Sequence, residues 1–442
     1  MSKVRVNNLT PFSGQNITLG GNAIPSSGSD KTLGSEANAW SELYVSTGSV
    51  NFVSGFSTVA SIKAGGEAGL NPAIPLGMVF IDTTGTTPGS TLRGSFSVGR
   101  TNRASGTASL TVGQSNTASG DFSLAQGLGT QASGPSSHVE GGYNIASAAY
   151  SHAEGQATLA SGAGSHAEGY NTIASGSYSH TEGETTLASG DYSHTEGRFT
   201  TASGVGSHAE GGSTKALGTR SHAEGAGTIA FGDASHAEGN LASASGNYSH
   251  AEGQQTFAQG QYSHAEGNYT FAKGVGSHSE GQYANAIGTY SHAEGLSAYA
   301  SGNYSHAEGS GSVASGFASH AEGNQTLASA PFAHAEGSGT VALGDGSHAG
   351  GLNTIASGSY QTVVGEYNAL GDTTSHFIVG GGVSGSRKDA FKVTVSSSIV
   401  IATQTTVPSW VGTEGEMVPY VSGSVYRLYA YLGGAWRSSS FA

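Results

Sequence analysis

The sequence predicts an all-β fold: a trimeric parallel β-roll, or β-solenoid, of fourteen-residue coils, with small β-rich modules at its N-terminal and C-terminal ends. Three observations predict it. His recurs every fourteen positions from His138 to His348, and Glu follows two residues after each His as far as Glu336. Gly closes each half of the period, so that 72 of 442 residues are Gly. Only 10% of residues are charged, where an ordinary globular domain carries about 25%. With nine Pro and no Gly-X-Y period, the glycine content does not describe collagen.

The unit reads Ser-His-Ala-Glu-Gly-x-x-Thr-x-Ala-Ser-Gly-x-Tyr. It divides into two halves of seven, each with room for a five-residue strand and a two-residue connection. Strand side chains alternate faces. The Ala after each His and the Ala of the second strand, such as Ala153 and Ala160, therefore face each other across a narrow lumen. Pro135 and Pro331 fall at the second turn, where a missing N–H does least harm. A helix is excluded by two Gly per fourteen residues and the lack of a 3.6-residue apolar period. The phase continues upstream through Phe96, Leu110 and Leu124 and downstream through Thr362, with His376 read as its last member. The expected organisation is an attachment or adaptor region over residues 1–93, a roll of about 21 repeats over 94–380, and a β tip over 381–442.

If Ala points in, His and Glu point out. The pairs are His138 and Glu140, His152 and Glu154, His166 and Glu168, His180 and Glu182, His194 and Glu196, His208 and Glu210, His222 and Glu224, His236 and Glu238, His250 and Glu252, His264 and Glu266, His278 and Glu280, His292 and Glu294, His306 and Glu308, His320 and Glu322, and His334 and Glu336. The second strand's outward position instead varies among Leu159, Lys215, Phe257, Asn285 and Tyr299. Solvent does not demand constancy, whereas a symmetric contact does. Three coils meeting on a threefold axis would place the pairs in a buried seam, where Phe96, Val98, Leu110 and Val112 stand in the end repeats. A slip of one residue would drive His and Glu into the lumen, so such a seam also fixes register. Pairing is expected to raise the His pKa and lower the Glu pKa, with greatest stability at mildly acidic to neutral pH. A solvent-facing stripe is the alternative.

Several functions are excluded or reduced. There is no Cys, so no disulfide or Cys-ligated metal. No run of eighteen apolar residues suggests membrane insertion, and MSKVRVNNLTPFSGQ lacks the apolar core of a secretory signal. A formal charge of −14 without a basic cluster argues against nucleic acid, although adding 17 protonated His would give +3. Fifteen identical His/Glu pairs read as building material rather than as a catalytic pair in a cleft, and no enzymatic activity is expected. No cofactor is expected, beyond an occasional axial metal ion on the His seam. Divalent ions in every layer, about 4.8 Å apart, would repel by roughly 14 kcal/mol at an effective dielectric of 20. The Tyr two residues before many His (Tyr150, Tyr178, Tyr192, Tyr248) reads either as packing over the turns or as a glycan-stacking ladder. At the tip, Tyr420, Tyr426, Tyr429, Tyr431 and Trp436 are candidates for receptor contact, with packing as their structural alternative.

Fourteen-residue coils around a small-residue lumen resemble the left-handed β-roll head of trimeric autotransporter adhesins. That family's repeat is approximately Ser-Val-Ala-Ile-Gly, and Ser95-Phe96-Ser97-Val98-Gly99 and Ser109-Leu110-Thr111-Val112-Gly113 are similar to it. The central His and Glu depart from the family's Val and Ile. The flanks are similar to bacteriophage fibre modules: Leu33-Gly34-Ser35-Glu36-Ala37-Asn38-Ala39-Trp40-Ser41-Glu42-Leu43-Tyr44, then Gly412 to Pro419 and Tyr429 to Arg437. Asp389-Ala390-Phe391-Lys392-Val393 resembles the strand that closes such rolls. These resemblances imply a homotrimeric structural fibre of a bacteriophage virion, on the tail or the head, with a host-attachment tip. Its partners would be other virion proteins of the baseplate, tail or capsid and a host-surface receptor, a glycan among the candidates. The alternatives are a cellular surface adhesin of the autotransporter-head type and a polysaccharide-depolymerase spike.

Overall fold

The computed structural model describes residues 48–54, 57–64, 79–82 and 95–440, apart from 397, 402, 405, 406, 410, 411, 415, 423 and 424. The Leu33–Tyr44 motif lies outside the described residues. The chain divides into two compact units, residues 1–74 and 75–442. Of the first, an antiparallel pair is described, Gly48–Ser54 against Ser57–Ala64.

The second unit is a parallel β-solenoid, and among the described residues no helix occurs. Each coil contributes two strands to two separate ladders. The first ladder carries the His column and joins residues fourteen apart in register, Phe96 to Leu110, Leu110 to Leu124, Leu124 to His138, and so on to Thr362. The second is a two-residue strand ending in Ala, running from Arg103–Ala104 to Ile355–Ala356. Backbone N–H groups of one coil donate to carbonyls of the next, as His138 N–H to Ser151 O at 2.9 Å and Ile145 N–H to Thr158 O at 2.9 Å. A coil therefore leaves its neighbour few free backbone groups, and stacking supplies the stability that one thin coil lacks.

Four side chains per coil fill the lumen, and they repeat at a spacing of seven. In one coil these are Ser207, Ala209, Thr214 and Ala216, all at most 1% exposed. Ser207 donates its hydroxyl to Gly204 O at 2.7 Å, which ties the turn to the following strand. Thr181, Thr195 and Ser279 replace Ala in the first ladder and remain fully buried, so the lumen accepts one or two extra atoms. The same spacing governs the corners. Tyr192 and Phe199, seven apart, both have φ +59, and the corresponding positions in other coils hold Tyr, Ala, Asn, Ser, Gln or Gly at similar values. Each coil thus repeats its lumen and corner positions every seven residues, with a left-handed residue at each corner, although its two strands differ in length.

The ends are closed by antiparallel strands. Val79–Asp82 pairs with Ser95–Arg100 at the first coil. At the other end Asp389–Thr394 pairs with Ser375–Gly381, and Ile399–Ile401 pairs with it in turn, which places the Asp389–Val393 motif where its resemblance implied. There the phase changes. Thr362 pairs with Phe377, not His376, and Ile378 takes the buried lumen position. His376 is exposed and is not a member of the column. One inserted residue precedes this strand, in a connection ordered by Asp372. Its carboxylate accepts hydrogen bonds from the Ser375 hydroxyl, the Thr374 and Ser375 amides and Lys392 Nζ. Burial opposes ionisation, yet these bonds hold its carboxyl far below the usual range. Beyond it lies a three-stranded antiparallel sheet, Met417–Ser422, Val425–Leu432 and Ala435–Ser440.

Candidate functional site

The in-register ladder turns a sequence period into a continuous face. His194 pairs with His208 and Glu196 with Glu210, and the pattern recurs coil after coil. Imidazole rings of successive coils lie 4.5–4.9 Å apart between centroids. Most are parallel within a few degrees, as for His320 and His334 at 1°. His250 breaks the stack, tilted 58° from His236 and 42° from His264. The face is half-buried in a single chain: His152 and Glu154 side chains are each 32% exposed.

Within a coil, Nε2 of His152, His166, His250 and His292 lies 3.8, 3.7, 3.5 and 3.9 Å from Oε2 of the Glu two residues on. His348 instead faces Glu336 of the preceding coil at 3.4 Å. These distances are long for hydrogen bonds. The Nε2 atoms of the fifteen His from His152 to His348 are shielded from solvent and have no hydrogen-bond partner. The missing bond has a geometric cause: side chains two residues apart on a strand project in parallel, so ring and carboxylate lie alongside each other rather than end to end.

The expected charge pairing is therefore corrected within one chain. His152, His166, His194, His208, His222, His236, His264, His292, His306 and His334 all have their pKa lowered. Burial is the largest cause, and the imidazole stacked on the neighbouring coil is the next; the Glu charges act in the opposite sense but are outweighed. The carboxylates also interact with each other. Glu168 is pushed up to about 7, first by burial and then by its hydrogen bond with Glu154 and that group's charge. Glu154 is held below its ordinary value, first by the bond from Glu168. Glu140, Glu154 and Glu168 line an open groove of about 490 Å³ together with Gln126 and three glycines.

His–His stacking was the feature that reasoning from the pairs overlooked. Its signal was present: residues fourteen apart in a fourteen-residue coil must stack at strand spacing, so each His has two His as nearest neighbours. Three-residue groups also form between coils. In His152–Glu154–His166 and His208–Glu210–His222, one ligand atom from each residue lies within 4.8 Å of the others.

At the corners, Tyr150, Tyr178, Tyr192 and Tyr248 are 56–74% exposed. Tyr178 stacks on Tyr192 with centroids 5.4 Å apart, so the packing reading of this column holds for that pair. At the tip the five aromatic candidates separate. Tyr426 is 54% exposed, whereas Tyr429 is 6% exposed and meets Tyr420 edge-on at 5.8 Å. Tyr429 is a core residue of the sheet and offers no contact surface, because its strand position points it to the covered face beside Val418. Tyr431 and Trp436 pack edge to face at 5.3 Å and remain half-buried.

The YadA head domain repeat matches this chain over residues 153–179, 209–235, 293–319, 307–329 and 335–360. Each segment begins at the residue after a His of the column, and the longer ones span two coils. No curated protein matches the chain. Over these segments the solenoid is similar to YadA head repeats, with His and Glu on the face where the apolar end repeats carry Phe96 and Val98.

Proposed function

We propose that the chain forms a homotrimeric, non-enzymatic fibre in which the His/Glu faces of three solenoids meet along a common axis. The single observation that carries this reading is the constant, half-buried His/Glu face, whose ring nitrogens lack partners within one chain. Constancy over fifteen coils is what a repeated symmetric contact requires, and a second and third chain would supply the missing hydrogen-bonding groups. Similarity to YadA head repeats supports the same architecture.

The finer reading is a bacteriophage virion fibre, on the tail or the head, joined to other virion proteins and presenting its C-terminal sheet to a host receptor. It is supported by the fibre-like motifs at Leu33–Tyr44 and Gly412–Arg437. A second reading, a cell-surface adhesin, is favoured by the YadA repeat match itself. Light scattering of the full chain tests assembly: a mass near three times 44.0 kDa is expected, and a monomer overturns the fibre. Immunogold labelling separates the locations. Gold on purified particles supports the virion fibre, whereas gold confined to cell envelopes supports the adhesin.

A further inference from the structure

We infer that the His/Glu ladder is a linear array of binding sites for zinc-like divalent cations, each held by two imidazoles from adjacent coils and the carboxylate between them. The ligands are on one chain; within the proposed trimer seam, a cation would take the place of cross-chain groups at those ring nitrogens. In His152–Glu154–His166 and His292–Glu294–His306, one ring nitrogen from each His and one carboxylate oxygen lie within 4.8 Å of each other. Nε2 of His152 is 3.8 Å from Glu154 Oε2, and that of His292 is 3.9 Å from Glu294 Oε2. Ligands of a tetrahedral ion at about 2.0–2.1 Å are separated by roughly 3.3 Å, so binding draws the three side chains together and turns the stacked rings, 2° and 4° from parallel in these two groups, until both in-plane lone pairs meet one ion.

The chemistry of the donors selects the ion. Imidazole suits zinc, nickel and copper, whereas magnesium and calcium prefer all-oxygen sites. A metal needs a neutral imidazole with a free lone pair. The Nε2 atoms are shielded from solvent and have no hydrogen-bond partner.

Three constraints limit the stoichiometry to no more than one ion per two coils. Each Nε2 has one lone pair, so overlapping groups such as His152–Glu154–His166 and His166–Glu168–His180 cannot both be filled. One divalent charge neutralises two Glu. Ions in consecutive coils would stand at strand spacing and repel strongly. Seven such groups occur among the described residues, and at least two pairs of them share a His, so the ladder holds at most five ions per chain.

The test uses untagged full-length chain, stripped with chelator and held at pH 7.5. Calorimetric titration with zinc should give several ions per chain, up to five, and cobalt should produce the visible absorption of imidazole ligation; magnesium should give neither. The variant carrying His152→Gln, His166→Gln and His180→Gln keeps every carboxylate and should lose one to two ions. Fewer than one zinc bound at millimolar concentration overturns the array. Fifteen ions per chain overturns the alternate-coil rule. Unchanged stoichiometry in the variant, with its circular dichroism intact, places the ions elsewhere and also overturns the proposal.

Discussion

Gly211 and Gly225, one coil apart, approach so closely that a Cβ on Gly211 would sit 2.2 Å from the carbonyl oxygen of Gly225. Gly211 also has φ +104, which side-chain-bearing residues rarely adopt. At the next residue, Gly212, a Cβ would meet open space, with no atom within 4 Å, and φ is not positive. Gly211→Ala should therefore destabilise the roll by about 2–6 kcal/mol, combining backbone strain with overpacking. Gly212→Ala should fall within about 0.5 kcal/mol of the parent. Denaturant midpoints of the two variants check this, and equal midpoints would refute the close-approach account.

Acid should loosen the solenoid. Ten His have folded pKa values below their unfolded value of about 6.5. Between the folded and unfolded pKa the unfolded chain binds more protons, so the His contribution is complete above pH ~6.5 and is lost as pH falls through the folded values. Glu168, raised to about 7, works oppositely: its contribution is present at low pH and fades as pH rises through 7. Ten groups outweigh one. Stability in urea should be nearly level from pH 8 to 6.5 and fall at pH 5.5. A rise on acidification would show that cross-chain carboxylates, rather than stacked imidazoles, set the His charge.

The fold was legible because its rules are local and repeated. A His every fourteen residues gives the coil, Gly at each turn gives the close approach, and Ala153 and Ala160 mark a lumen one methyl deep. The break at the far end was not legible. His376 keeps the period in sequence, yet one extra residue in the connection shifts the strand so that Phe377 and Ile378 take the outward and inward positions. A period counts residues, whereas the ladder counts hydrogen bonds. The site was half legible for a related reason. Alternation put His and Glu on one face, but burial, and after it the His fourteen residues away, lowers the His pKa against the pull of the Glu two residues away.

The C-terminal sheet should be dispensable for the roll. Asp389–Thr394 and Ile399–Ile401 already cover the last coil, so nothing in the Ala lumen depends on residues beyond them. Deleting 402–442 should leave the thermal transition of the roll within about 2 °C, since no buried core of the roll is removed. If the virion-fibre reading holds, particles with this deletion should lose host adsorption. A lost transition would make the sheet part of the roll's core, and unchanged adsorption would remove the receptor role from Tyr426 and its neighbours.

His236 and Glu238 test whether the constant face is a seam. The His236 ring lies 4.8 Å from His222 and 4.9 Å from His250, with its Nε2 3.9 Å from the Glu238 carboxylate. In an assembled seam, His236→Ala removes a ring from each chain and leaves carboxylates at the axis without their neighbouring imidazoles. That should cost about 1–3 kcal/mol per site, the penalty for a buried polar group left without a partner. Replacing the pair together, His236→Val with Glu238→Ile, restores the apolar type that Phe96 and Val98 represent in the end repeats. Removing both polar partners at once is close to neutral, because neither is left unsatisfied. The single variant should therefore melt below the double variant, with both remaining the same oligomer by light scattering. On a face washed by solvent the order reverses: Ala is tolerated, while exposed Val and Ile gain nothing and favour aggregation. Equal melting, or a less stable double variant, would take the His/Glu face out of the trimer interface.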